Sequence, residues 1–409
     1  MAAASIIGFL KLVILADIFS AADFAQYSTY YGLAPLIGLV VSFGMVEGTV
    51  KRFTRLAVNS TKNTTEFESY KIVRLLSARY LGLAAVIAAS YLFFPASIKD
   101  ALAPIIFSIV ISMGNNIFGI VASVIRARNS ILFYSLINLF RAFFISAATL
   151  FVATQTNWLG ALTFESIFGL AVISAIFLFI VSFKKSRDAT NLDPEPLNGK
   201  KSGRFLFFGF LAISVSMTVD RFFISAFDRI SVSALYNFMT IWLAGAYLLM
   251  SIFVQKFGPD MVRAQALDPQ TMPLARTRRN AAALSGLLLC GTLVSFALVY
   301  GMFFETYWQK YGIDRTAVLF AGAAVALQVT PLYDWTLIAL DGEKALMKAA
   351  LINLAAVALG FMLCLWSGWG YPGYAASIVA GRLLQLAFAD MAVGRLQTQN
   401  RIKAAELPE

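Results

Sequence analysis

The sequence predicts an all-α polytopic membrane protein, with about 12 transmembrane helices in two parallel six-helix bundles. Three observations predict it. The first is composition: of 409 residues, 59% are hydrophobic, 14% aromatic and only 13% charged, with a mean hydropathy of +0.74. A water-facing surface needs about 25% charged residues, so half that proportion leaves most of this chain's surface facing lipid. The second is the recurrence of long apolar runs. The third is an unequal division of basic residues between alternate loops.

A helix crosses the hydrocarbon with about 20 apolar residues. Runs of that kind lie at 2–19, 30–50, 74–94, 101–122, 131–152, 158–183, 205–226, 233–254, 281–304, 316–340, 346–366 and 372–394. The first ends in "FSAAD", which resembles a signal-peptide cleavage site, but Lys11 in its apolar centre argues for a retained span. Pro35, Pro104 and Pro331 punctuate spans two, four and ten, where kinks could serve gating. Pro104 and Pro331 fall in corresponding spans of the two halves. Asn115 and Asn116 in span four are expected to line a cavity or to hydrogen-bond across helices.

Lys and Arg set the orientation. With the N-terminus in the cytoplasm, 24 of the 33 fall in cytoplasmic segments and four in outer loops, namely Lys99, Arg229, Lys310 and Arg315. That excess places both termini inside and makes the number of spans even. It also accounts for the net charge of +11 through basic loops beside anionic lipid, without nucleic acid. The outer loops are short, which leaves no room for an extracytoplasmic catalytic domain. The longest polar segment, "KKSRDATNLDPEPLNGKKSGR" at 184–204, contains Pro194, Pro196 and Gly199. It reads as a cytoplasmic linker between an N-terminal bundle at 1–183 and a C-terminal bundle at 205–409 with a short cytoplasmic tail. Sequons at Asn59 and Asn63 fall on the cytoplasmic side and carry no expected modification.

Several chemistries are excluded. The chain has no histidine, so His-based catalysis and His-ligated zinc are ruled out. Its two cysteines, Cys290 and Cys364, each lie inside an apolar run and make neither a disulfide scaffold nor a CxxC metal site. No Walker motif is visible. No catalytic residue, metal or cofactor is expected.

The halves repeat weakly. "ADIFSAADFAQY" follows span one and "SAFDRISVSALY" follows span seven, with Tyr27 and Tyr236 at an offset of 209. "LINL" opens span five at Leu136–Leu139 and span eleven at Leu351–Leu354, at an offset of 215. Six spans per half is even, so the repeats run parallel about an axis along the membrane normal. That is an architecture of rocking transporters, whose working site lies near the midplane.

An ionisable group at the bilayer centre costs at least ~2.5–3.5 kcal/mol, so each one needs a reason. The spans hold Lys11, Arg79, Arg141, Arg221 and Arg382 against Glu47, Glu165, Asp220, Asp334 and Asp390. Depth separates them. Glu47, Arg79, Asp334 and Asp390 lie toward cytoplasmic ends, Asp220 and Arg221 toward the outer end of span seven, and Glu165 in the outer third of span six. Lys11, Arg141 and Arg382 lie nearest the middle, and all are cations. Each could pair with a helix carbonyl, a polar side chain or a nearby acid. Their shared sign favours the other reading, a wet cavity with a positive floor for an anionic cargo.

"LADIFSAADFAQYSTYYGLAPLIGLVVSFGMVEGTVKRF" resembles the opening of Wzx-type oligosaccharide flippases, in the polysaccharide transporter branch of the MOP superfamily, through Phe24 and Tyr27. "DRFFISAFDRISVSALYNFMT" resembles that family's span-seven motif, carrying Asp220, Arg221 and Tyr236, and "LDGEKALMKAALINLAAVALGFML" with "GYPGYAASIVAGRL" resembles its last spans. The family often has an arginine near the end of span one, where this chain has Asp17.

The resemblance implies a MATE-like pair of bundles in the bacterial inner membrane. It also implies a flippase that carries a polyprenyl-diphosphate-linked oligosaccharide to the periplasmic leaflet, for O-antigen or exopolysaccharide synthesis. On that reading Lys11, Arg141, Arg382 and Arg221 hold the substrate, and Asp220, Glu165 or Asp334 could couple an ion. Expected partners are the lipid-linked oligosaccharide, membrane lipids, and a polysaccharide polymerase with its chain-length regulator; the chain is expected to act as a monomer. A multidrug exporter of the same superfamily would call for a central acid. A polymerase or ligase would call for long outer loops bearing catalytic residues.

Overall fold

The computed structural model describes residues 2–43, 45, 46, 49, 53, 64–91, 96–127, 130–182, 200–267, 273–303 and 307–405. Glu47, both sequons and residues 184–199 of the expected linker lie outside them. Among the described residues all regular structure is helical. The chain divides into two compact units, Ala3–Gly203 and Arg204–Glu409.

The first unit holds α1 (Ala2–Ile18), α2 (Ala21–Ser42), α3 (Thr64–Tyr91), α4 (Ala96–Ala127), α5 (Ile131–Ala153) and α6 (Trp158–Ser182). The second holds α7 (Lys200–Phe227), α8 (Ile230–Leu267), α9 (Pro273–Phe303), α10 (Arg315–Ala326), α11 (Thr330–Ala339), α12 (Glu343–Ser367) and α13 (Gly370–Ala405). Nine stretches among the described residues are long and apolar enough to cross a bilayer: α4 to α9, the α10–α11 pair, α12 and α13. The shorter or more polar α1, α2 and α3 coincide with the first three expected spans.

Apolar side chains cover the outside as well as the core. Leu132, Phe151 and Trp366 are 76%, 71% and 89% exposed, a surface that suits acyl chains and not water. Within the first unit α4 is the central helix. Ile117, Phe118, Ile120, Val121 and Ile125 pack with Leu76 of α3, Tyr134 of α5 and Ile173 of α6. In the second unit small residues let helices approach closely: Gly360 lies against Ser377 and Gly381 against Asn353, bringing α12 onto α13.

Helix ends follow local chemistry. Ser20 caps α2 by accepting from the Asp23 amide at 3.1 Å. Asp314 caps α10, accepting from the Ala317 amide at 2.6 Å. Gly368 and Gly370, at φ +69° and +60°, make the tight turn from α12 to α13, a conformation open to glycine.

The three prolines behave differently. Pro35 and Pro104 lie inside continuous helices. Ser108 donates to the Pro104 and Tyr30 carbonyls at 2.8 and 2.7 Å, securing the chain beside that proline. Span ten, by contrast, is broken: α10 ends at Ala326 and α11 begins at Thr330, with Pro331 in its first turn, where no amide donor is needed. Two helices also outrun their apolar spans. α8 continues to Leu267 and α13 to Ala405, so the expected short tail begins as an extension of the last helix.

Candidate functional site

In the first unit, α1 exposes Ile6, Leu10, Ile14 and Ile18 at a four-residue spacing. That spacing makes one face of a helix, and Lys11 and Leu15 are buried on the other. Lys11 does not stand alone. Its ammonium donates to Glu165 Oε1 of α6 at 2.5 Å, while the Tyr27 hydroxyl of α2 donates to Glu165 Oε2. The ammonium lies 3.4 Å from the Tyr27 oxygen and 4.4 Å from the centre of the Tyr31 ring. Lys11 and Glu165 are each about 95% buried. Both carboxylate oxygens are engaged, as a buried ion pair requires. Of the two readings left open for Lys11, pairing with a nearby acid is the one its contacts match.

Arg141 of α5 is half-buried, and its guanidinium lies 4.0 Å from the centre of the Phe118 ring. Tyr31, Tyr134 and Glu165 are in electrostatic reach. It forms no ion pair among the described residues, and its Nε has no acceptor. Asn116 donates to the Gly38 carbonyl at 2.9 Å and to the Tyr80 hydroxyl at 2.8 Å, tying α4 to α2 and α3. Asn115 is exposed.

The second unit repeats this arrangement with one sign reversed. The offset of 209 that relates Tyr27 to Tyr236 also relates Lys11 to Asp220. The Tyr236 hydroxyl of α8 donates to Asp220 of α7, and the Arg221 amide donates to its other oxygen at 2.7 Å. So in each unit a tyrosine from the second helix holds a buried carboxylate. In the first that acid comes from the sixth helix and a lysine joins it; in the second the acid occupies the lysine's place. The Arg221 side chain, next in sequence, is half-buried.

Arg382 of α13 is 4% exposed. Its Nη1 donates to Gln385 Oε1 at 3.1 Å and to Thr330 Oγ1, the first residue of α11, at 3.4 Å. Asp334 and Asp220 are in electrostatic reach, but Arg382 forms no ion pair among the described residues. Arg382 Nε and Gln385 Nε2 have no acceptor. Asp334, one turn after Thr330, is 6% exposed and has no hydrogen bond among the described residues. Asp390, nearer the end of α13, is held by two bonds from Arg278, at 2.8 and 2.5 Å.

The structure thus joins Lys11 to Glu165 and gathers Asp220, Asp334 and Arg382 in one unit, while Arg141 keeps its own place in the other. The tyrosine–carboxylate bonds, Thr330 and Gln385 were not singled out from the sequence. The shared 209 offset of Lys11 and Tyr27 was the available signal for the first of these.

No family model matches the chain, and no curated protein matches its sequence. Solved structures do. Lipid II flippase MurJ in an inward closed conformation superposes with a TM-score of 0.60 at 13% identity, over 99% of this chain and 92% of that one. An inward-facing MATE multidrug resistance transporter of the MOP superfamily gives 0.63 at 11% identity, over 97% and 96%. A Pyrococcus furiosus MOP-superfamily transporter, described as having a binding pocket of reverse polarity, gives 0.63 at 11%, over 97% and 93%. At these identities the likeness establishes the fold: the chain has the all-helical, multi-pass architecture of MOP-superfamily transporters.

Proposed function

We propose that the chain is a flippase that moves a polyprenyl-diphosphate-linked oligosaccharide from the cytoplasmic to the periplasmic leaflet of a bacterial inner membrane, for O-antigen or exopolysaccharide synthesis, by alternating access. The observation that carries the reading is the pair of mid-span arginines, Arg141 and Arg382. Each is inside its own unit, each keeps an Nε without an acceptor, and neither is ion-paired among the described residues. A guanidinium offers a planar fork of donors suited to phosphate oxygens. A diphosphate and a sugar chain cannot cross the hydrocarbon alone, since stripping such groups of water costs many kcal/mol. An inside-negative potential favours outward movement of anions by ~2.3 kcal/mol per charge per 100 mV, so a doubly charged headgroup gains roughly 4–5 kcal/mol without ATP.

Arg221 is a secondary candidate for the same headgroup, and Asn115 for the polar lining. Among the coupling acids Glu165 is committed to Lys11, which leaves Asp220 and Asp334. Asp334 also favours a second reading, a cation antiporter, because it is a buried carboxylate without a hydrogen bond among the described residues. Both termini in the cytoplasm, a monomeric state, and cooperation with a polymerase and its chain-length regulator complete the proposal.

The deciding experiment is translocation of a labelled lipid-linked oligosaccharide in proteoliposomes, with and without an imposed potential. Arg141→Ala and Arg382→Ala should each abolish translocation at unchanged protein abundance. Normal rates in both variants would refute the anionic-cargo reading. Efflux of an organic cation, lost on Asp334→Asn and unaffected by either arginine change, would establish the second reading instead.

A further inference from the structure

The second unit carries a groove that this chemistry does not use. Helices α9 and α10 meet closely where Leu289 faces Gly322: a methyl added at Gly322 would come within 3.3 Å of the leucine side chain. Beyond that contact the helices part and leave a groove of about 400 Å³. Leu293, Phe296 and Ala297 form one wall, Val318 and Leu319 the other, and Trp308 and Arg315 stand at its mouth. Its floor is fixed. Phe296 is 3% exposed and stacks on Trp242 at 4.2 Å between ring centres, while Trp242 donates to Ser295 at 2.7 Å. From Arg315 down to Gly322 the groove runs seven residues of helix, about 10 Å at 1.5 Å per residue.

The mouth carries a charge. Arg315 is exposed and forms no ion pair among the described residues, the neighbouring Asp314 being occupied in capping α10. Arg315 is one of the four basic residues that the sequence assigns to outer loops. Basic residues are disfavoured on that side, and an aromatic such as Trp308 commonly marks the water–lipid boundary there. An open apolar groove with an arginine and a tryptophan in its lining is complementary to an amphiphile with a phosphate head and a hydrocarbon tail.

We propose that this groove seats the isoprenoid tail of a polyprenyl phosphate lipid, with its phosphate against Arg315. The identity of the tail rests on the flippase reading above; the apolar slot and its charged mouth do not. A seat here would keep the carrier beside the protein in the leaflet where its headgroup is delivered.

The test is photolabelling of the full chain in phosphatidylethanolamine vesicles by a polyprenyl phosphate with a photoreactive group near its head. Label should concentrate on peptides covering 293–297 and 315–319. Filling the slot by Ala297→Trp, or by Leu319→Trp at a more exposed position, should lower the yield about tenfold, as for a binding loss of about 1.4 kcal/mol. Arg315→Gln should weaken labelling by the phosphate probe several-fold and leave an uncharged polyprenol probe unaffected. Label spread evenly over the lipid-facing helices, or competition by phosphatidylglycerol as strong as by unlabelled polyprenyl phosphate, would overturn the proposal. The assay reads binding alone. A groove left unlabelled while oligosaccharide translocation proceeds would reject this site and keep the flippase. A labelled groove without translocation would keep the site and reject the flippase.

Discussion

The two units solve the same problem, a carboxylate inside a membrane bundle, in opposite ways. In the first, Glu165 has a lysine and a tyrosine, one for each oxygen. In the second, Asp220 has the equivalent tyrosine and one backbone amide, with Arg221 and then Arg382 in electrostatic reach, and Arg382 is turned to Thr330 and Gln385. The first arrangement is closed, with every charge answered by direct contact. The second leaves Arg382 and Asp334 unpaired with each other among the described residues, although they are in electrostatic reach. A closed network holds helices in place, and an open one keeps groups available for a ligand or for a rearrangement. On the proposed reading the contrast suggests structure for Lys11 and Glu165 and chemistry for Arg382, Asp334 and Asp220, with Arg141 as the open group of the first unit.

Five variants would break or sharpen that contrast. The largest effect is expected from Glu165→Ala, which strands a buried ammonium; breaking such a pair costs about 3–5 kcal/mol, visible as a large drop in the melting temperature of the detergent-solubilised protein. Unchanged melting would mean that the first network is not holding α1. Next, the double change Lys11→Met with Glu165→Met should restore most of that stability and keep translocation, since apolar replacements of buried pairs are often neutral or better. Loss of transport in a well-folded double variant would return Lys11 to the substrate path. Third, Tyr27→Phe and Tyr236→Phe each remove a hydroxyl bonded to a carboxylate, worth about 1.5–3 kcal/mol. The second should be the more damaging in thermal unfolding, because Asp220 then keeps one direct hydrogen bond, from the Arg221 amide, where Glu165 keeps an ion pair. Smallest is Asn116→Ala, which removes two neutral bonds worth about 1 kcal/mol each at most and should lower melting slightly without affecting transport.

Much of this was legible in the sequence. Apolar runs locate the spans because the bilayer tolerates little else, and nine of the twelve reappear as helices of sufficient length and apolarity. The pairing of Lys11 with Glu165 was not legible. Counting along each span sets the lysine near the middle and the glutamate in the outer third, yet a four-carbon stem covers about a helical turn of depth. Sequence depth locates a backbone, and the charge sits elsewhere. The prolines make the same point. Three residues of one type in apolar runs read alike, but only at Pro331 do the neighbouring residues let the helix stop and start again. Helices beyond the hydrocarbon, at the ends of α8 and α13, carry no apolar signal and so passed for loops.

The gap between α10 and α11 has a mechanical meaning. An unbroken rod of twenty-five residues resists bending because every amide along it is tied to the turn before. At 327–329 that ladder gives way to three-residue turns, Gln328 bonding to Val325 and Leu332 to Val329, which makes this the natural place for the two segments to bend. Arg382 leans on the first residue past the joint, and anything that draws the guanidinium away would pull on a lever whose fulcrum is built in.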